Sequence, residues 1–386
     1  MAAPGIERLL AAKEIVVVCG AGGVGKTTTA AALATVAAAD LGAKVLVLTV
    51  DPARRLASAM GLEALGNTET RVGGQAFAAA GLEPRGQLWA AMLDTKQSWD
   101  ELVRRHAPDA ATRDAILANP LYRNVTGKFV HSHDYIAMER LYELHSSGTY
   151  DLIVVDTPPT RHAIDFLEAP ERMAEFFSSR LLRWLLVPYR SRLVNVASRP
   201  FYQIADRALG SAFLADVAEF FILFQSMYKG FVARARAVER VLEDRRTSFV
   251  VVTTLEAAPA QEAGRFVEVL AGKHLHLGAV VLNRVLPAGL LDGDATAAAR
   301  ELRARSRELG NALAGLDDPP GPPELVGRVL AELGESFLNF AVVAKREAEQ
   351  RAELEVDPAL VTTVPSLDTD VFDLAGLARL GQALRR

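Results

Sequence analysis

The chain has a single cysteine, Cys19, among its 386 residues. One thiol cannot close an internal disulfide, complete a four-cysteine zinc site or hold a metalloid through three thiolates. Its place in the apolar run before a glycine loop reads as a buried strand position. Excess basic charge is missing too: the formal net charge is −4, whereas nucleic-acid binders carry a positive balance. No window reaches the ~18 uninterrupted apolar residues of a membrane-spanning helix. The first twenty residues lack a basic start followed by a long apolar segment, so no secretory leader is expected and the chain reads as cytoplasmic. Only six methionines occur, too few for a Met-rich groove that captures helices promiscuously. Neither N-K-x-D nor T-K-x-D occurs, which argues against guanine recognition.

What is present is the balance of a folded globular protein, 50% apolar and 23% charged. Short apolar runs recur at 14–20, 44–51, 88–94, 150–156, 248–254, 277–283 and 360–365, with helical patterns between them. Continuous rather than alternating apolar character suits strands covered on both faces, as in a parallel sheet. Strands alternating with helices predict an α/β fold with a doubly wound, mostly parallel sheet. The spacing is uneven. Two long helical intervals interrupt the alternation, and they predict an inserted helical subdomain built from 96–149 and 166–245 on one side of the sheet. The core would then comprise 1–95, 150–165 and 246–386. The stretch 316–324, "LDDPPGPPE", reads as a linker ahead of a long charged helix from about Leu325 to Leu354.

"GAGGVGKT", Gly20 to Thr27, has Walker A spacing, follows a predicted strand and opens a predicted helix. This context predicts a P-loop nucleoside triphosphatase. The backbone N–H groups of Gly22, Gly23, Val24 and Gly25 would wrap phosphate, and the helix start carrying Lys26, Thr27 and Thr28 adds its positive dipole end. Lys26 would pair with the β and γ phosphates, and Thr27 Oγ1 would ligate Mg²⁺. Asp51 ends the second strand at the edge where open α/β sheets bind ligands. As a carboxylate it could orient or deprotonate an attacking water; a helix N-cap ahead of Pro52 is the plainer reading. Asp156 closes the apolar run "LIVVD" in the Walker B manner and would hold Mg²⁺ directly or through water. Pro158 and Pro159 then stiffen a loop that a γ-phosphate could order. Asn283 ends "VVLN", and its amide can pair with adenine through both donor and acceptor, as it does in DNA readout. ATP is therefore the expected nucleotide.

Taken in order, "GAGGVGKTTTA", "DPARRLASAMG", "DTPPTRHAIDFL" and "VVLNR" resemble the arsenite-pump (ArsA-like) ATPases. That family also holds the eukaryotic ATPase that delivers tail-anchored membrane proteins, and it includes actinobacterial-type "anion-transporting ATPases". The resemblance implies a deviant-Walker dimeric ATPase using ATP and Mg²⁺, with its nucleotides at the subunit interface. It implies Asp51 and Pro52 as switch I, with Asp51 and Lys26 catalytic, and Asp156, Thr157 and His162 as switch II. The closing "VPSLDTD", which begins with Val364 and Pro365, would be the loop lying against adenine.

Three departures from the family pattern stand out. Neither the metalloid-binding cysteines nor the zinc-binding CxxC pair is present, so no zinc and no Cys-bound metalloid are expected. Arg161 replaces a glycine of switch II. Ala21 occupies the position of the signature lysine, which in such dimers reaches across to the partner's phosphates. A homodimer would hold two sites without that lysine. The expectation is therefore an asymmetric heterodimer with a lysine-bearing ArsA-like partner, slow alone; in the alternative homodimer, Arg54, Arg55 or Arg161 supplies the charge. A helical client or membrane-associated partner would engage the helical subdomain, and nucleic acid is not expected.

Weaker signals remain. His131, His133, His145 and His162 admit a metal site, or simply a solvated helix start. The Arg-rich amphipathic stretch 180–207 suits a client or lipid surface, or packing within the subdomain. Leu374, Leu377, Leu380 and Leu384 form a stripe that packs on the core. The competing reading is a lipid-binding helix of a membrane-surface positioning ATPase, which would be peripheral to the membrane.

Overall fold

A computed structural model describes residues 5–50, 55–120, 122–123, 130–158, 167–168, 172, 175, 219–220, 222–223, 227–354, 356–357 and 360–385, and every statement below concerns these. Asp51, Pro52, Arg54, Pro159, Arg161, His162 and the 180–207 stretch lie outside them.

Eight strands form one sheet in the order β3-β4-β2-β5-β1-β6-β7-β8. They are β1 (Ile15–Gly20), β2 (Lys44–Thr49), β3 (Thr70–Arg71), β4 (Gln87–Met92), β5 (Leu152–Asp156), β6 (Thr247–Thr253), β7 (Leu277–Val285) and β8 (Val361–Pro365). All neighbours are parallel except the short β3, which pairs antiparallel with β4 at the edge. Seven of these strands are the seven apolar runs; β3, only two residues long, carries no run that could announce it. The central strands are Val/Ile-rich and fully buried, as coverage on both faces requires.

Side chains alternate between two apolar clusters. Ile15, Val17 and Cys19 of β1 face one side, and Val16 and Val18 the other. The first side is covered by α5 (Thr95–His106), α6 (Ala110–Ala118), α7 (Val130–Ser146), α8 (Tyr228–Glu243) and α9 (Ala257–Gly272). Helices from both predicted insertions thus share one core with one sheet face. Trp99, Tyr135 and Phe231 join them, with ring centroids about 6 Å apart.

The opposite face is covered by α1 (Ile6–Ala12), α2 (Lys26–Ala39), α3 (Arg55–Ala59), α4 (Gly74–Ala79) and the last helix, α13 (Leu374–Ala383). α2 is alanine-rich and buried along nearly its whole length, so α13 can lie close against it. A Cβ at Gly381 would collide with Val36. Asp373 caps α13 by accepting from Gly376 N at 2.7 Å. Leu374, Leu377, Leu380 and Leu384 are all buried in this contact. The stripe therefore faces the protein, which overturns the reading of it as a lipid-binding helix: no apolar face remains to offer a bilayer.

Between β7 and β8 stand α10 (Gly293–Ala304), α11 (Ser306–Ala314) and α12 (Pro323–Glu353). Pro323 opens α12, where its missing N–H costs nothing. The expected linker and long helix are both found here, within two residues of their predicted bounds. Among the described residues no helix is long and apolar enough to cross a membrane.

Candidate nucleotide site

The site lies at the carboxyl edge of the sheet, where β1 sits between β5 and β6. Strand register builds it. Val18 of β1 and Thr49 of β2 both stand opposite Asp156 of β5, while Gly20 stands opposite Val252 of β6.

The chain leaves β1 through a loop that only glycine can make at two points. Gly25 has φ 99°, and a Cβ there would strike Asn283 Nδ2; one at Gly20 would strike Val252 O. Gly22 and Gly23 are exposed, with open space where side chains would be. The helix begins at Lys26 with no side-chain cap, so the N–H groups of its first turn remain available to an anion. Lys26 is buried and donates from Nζ to Ala21 O at 2.8 Å, folded back over the loop its ligand would fill. Thr28 stands half-buried in the first turn.

Asp156 is fully buried, and its Oδ2 accepts from Thr27 Oγ1 at 2.7 Å and from Thr49 Oγ1 at 2.9 Å. A buried carboxylate held by two hydroxyls is a hard-oxygen donor set of the kind Mg²⁺ prefers. Together with the uncapped helix start and the open glycines, it fits a magnesium–nucleotide complex. Thr49 was not foreseen. Its signal was available, a hydroxyl two residues before Asp51 at the end of an apolar strand, but only the β2–β5 pairing brings it to Asp156. Thr157 is also buried, and its Oγ1 donates to Val18 O at 2.9 Å. That bond ties the start of the predicted switch II to the strand that launches the loop. Cys19 lies beneath, and burial pushes its thiol up to about 12, far from a reactive thiolate.

Asn283 is the last buried residue of β7. Its side chain is buried and turned toward the loop: Nδ2 donates to Val24 O at 2.8 Å, and Oδ1 accepts from Arg284 N at 3.0 Å. In this arrangement the amide expected to read adenine braces the phosphate loop, at the point where β7 shifts register between Leu282 and Val285 and Arg284 takes φ 60°. Pro365 ends β8 beside Val285 and is exposed, as is Leu367 beyond it.

Ala21 is buried, with its methyl in the apolar cluster on the α2 face. The position expected to reach outward to a partner is turned inward here.

In the helical layer, α5, α7 and α8 line an open pocket of about 280 Å³. Its arginines are matched by acids: Arg105 and Arg140 pair with Glu143, and Arg234 with Glu139. Burial, reinforced by Arg234 and Arg105, pushes the ring of His106 down to about 4. His145 meets Glu14 at 2.7 Å. No cluster of metal-ligating side chains occurs among the described residues, and the side chains of His131, His133 and His162 are outside them.

Comparison with known proteins agrees with this geometry. The family model described as "Anion-transporting ATPase" matches residues 13–306. ATPase BagA of Mycobacterium tuberculosis is 27% identical over 381 residues, 95% of this chain and 91% of that protein. ATPase ASNA1 homolog 2 of Paramecium tetraurelia is 27% identical over 273 residues, 69% of this chain and 74% of that protein. ATPase GET3 of Malassezia globosa is 24% identical over 285 residues, 73% and 76% of the two chains. A glycine loop opening α2 and a buried aspartate closing β5 are what such a protein needs at its center, and this chain belongs to the anion-transporting, ArsA-type ATPase family.

Proposed function

We propose that this ATPase works as one half of an asymmetric dimer, paired with a related chain that keeps the signature lysine. The observation that carries the reading is Ala21: a methyl group, buried in the chain's own core. It cannot compensate charge on a partner's phosphates. In the proposed pairing the lysine-bearing chain completes this chain's site, and the partner's own site lacks its trans residue. Dimerisation as such is what the resemblance to the family implies; the identity of the second subunit is the new element.

Within the site, Lys26 would turn from Ala21 O to the β and γ phosphates, and the N–H groups of Gly22 to Thr28 would hold them. Thr27 and Asp156 would hold Mg²⁺, which supplies charge neutralisation at the phosphates. Asp51 would orient the attacking water. Asn283 would keep the loop in shape, and the segment from Pro365 would lie along the base. Thr157, leading from Asp156 towards His162, would pass the nucleotide state to the helices over 96–149 and 166–245. Those helices would present the client or partner surface, and the cytoplasm is the compartment that suits the reaction.

The test is direct titration and turnover with two variants. Lys26→Ala is expected to abolish ATP binding, while Asp51→Asn keeps binding and loses hydrolysis. Equal loss of binding in both would reject the assigned roles. GTP is expected to bind much more weakly than ATP.

A further inference from the structure

At the end of β2 an apolar column gives way to a hydroxyl. Val45 and Val47 face the cluster on the α2 side, and alternation along the strand puts Thr49 on that same face. Neighbouring β5 follows the same course, with Leu152 and Val154 in that cluster and Asp156 next on the face. The strands are in register, Val47 beside Val154 and Thr49 beside Asp156. Valine at 49 would continue the apolar column, and it has nearly the shape of threonine. A hydroxyl only 1% exposed needs a partner, because burying one without a hydrogen bond is costly. Its partner is Asp156 Oδ2, at 2.9 Å.

We propose that Thr49 is a positioning residue for the magnesium site: its hydroxyl holds the Asp156 carboxylate in the orientation that receives the metal. The proposal rests on the reading of Thr27 and Asp156 as the pair that holds Mg²⁺. Thr27 Oγ1 donates to the same oxygen at 2.7 Å, but it comes from the helix, whereas Thr49 comes from the sheet. Two donors on different elements fix the rotation of a carboxylate more firmly than one. Their fates differ when the ligand arrives. Thr27 takes the metal on its own oxygen in that reading, and Thr49 stays with Asp156. A group that orients a metal ligand from behind in this way sets the affinity of the site without touching the ion.

Thr49 is itself well anchored for this task. Leu93 N donates to Thr49 O at 2.9 Å, and Val50 N donates to Asp156 O at 3.1 Å. The strand end is thus fastened from β4 on one side and to β5 on the other. Both the carbonyl and the carboxylate of Asp156 are held by residues 49 and 50. Branching at Cβ restricts the Thr49 side chain further, so the hydroxyl is a fixed support. A role confined to stability would lower the unfolding midpoint and leave the metal requirement as it is; positioning moves the metal requirement.

The experiment titrates Mg²⁺ into the full chain with a dilute fluorescent ATP analogue, read as nucleotide binding rather than turnover. Thr49→Val keeps the shape and removes the donor. It is expected to bind the analogue in EDTA as the native chain does, and to need ~10–100-fold more Mg²⁺ for half-saturation. Thr49→Ala, which packs differently and also lacks the donor, should show the same shift. Thr49→Ser keeps a hydroxyl and should need close to the native amount. A native Mg²⁺ requirement in Thr49→Val or Thr49→Ala overturns the proposal, as does Thr49→Ser being as impaired as Thr49→Val. Asp156→Asn separates this from the reading beneath it. A native requirement in Asp156→Asn rejects the magnesium site itself, and the role of Thr49 with it. A raised requirement there, beside an unaffected Thr49→Val, rejects the role of Thr49 alone.

Discussion

Two regions of this molecule depart from the rule of apolar inside and polar outside, and they do so in opposite senses. At the carboxyl edge of the sheet, Lys26, Asp156, Thr157 and Asn283 are buried. Each is fastened to backbone or to another buried group. Along α12, leucine, valine and phenylalanine stand in solvent while glycines are buried. The first arrangement costs desolvation energy and repays it only where an ion or phosphate arrives. The second leaves apolar area to be covered by another surface. One region gathers polar groups in the interior, the other leaves apolar side chains at the surface.

The contrast is sharpest between two leucines. Leu377, fully buried against α2, should cost ~2–5 kcal/mol of stability when changed to alanine. Leu333, on the outer face of α12, should cost no more than ~0.5 kcal/mol in the isolated chain. Urea unfolding of the two variants under dilute conditions measures both, and equal losses would break the comparison. At the polar region, Gly25→Ala combines left-handed strain with a collision against Asn283. It should lower ATP affinity by more than ~10-fold, the equivalent of ~1.4 kcal/mol. Isothermal titration reads that loss. Asn283→Ala removes the brace on Val24 O together with the acceptor for Arg284 N and should cost ~1 kcal/mol or more of stability. The ratio of ATP to GTP affinity in that variant separates bracing from base recognition: an unchanged ratio leaves Asn283 with bracing alone.

Most of the fold was legible because its signals are local. The apolar runs ending at Asp156 and Asn283 mark strands by their continuity, and the glycines of 20–25 mark a loop by their spacing. What was not legible depends on pairing between distant strands. Thr49 reaches Asp156 only through the β2–β5 register, and the amide of Asn283 meets Val24 O across 259 positions of sequence. Helix stripes were half legible. Leu374, Leu377, Leu380 and Leu384 and the α12 stripe have similar periodicity, and periodicity gives a face without saying which way it points. In α12 the fully buried positions are Gly327, Gly334 and Ala344, which hydrophobic patterning does not register as a core.

The central claim, that Ala21 leaves this chain dependent on a lysine-bearing partner, is tested by steady-state ATP turnover of the chain alone, as Ala21→Lys, and mixed with a related lysine-bearing chain. Charge supplied in trans to a transferring phosphoryl group is worth ~10³-fold or more. The account predicts slow turnover alone, a rise of that order with the partner, and a smaller rise for Ala21→Lys, whose side chain must leave a buried position to reach the interface. Fast turnover by the unaltered chain alone, unmoved by either change, would contradict it.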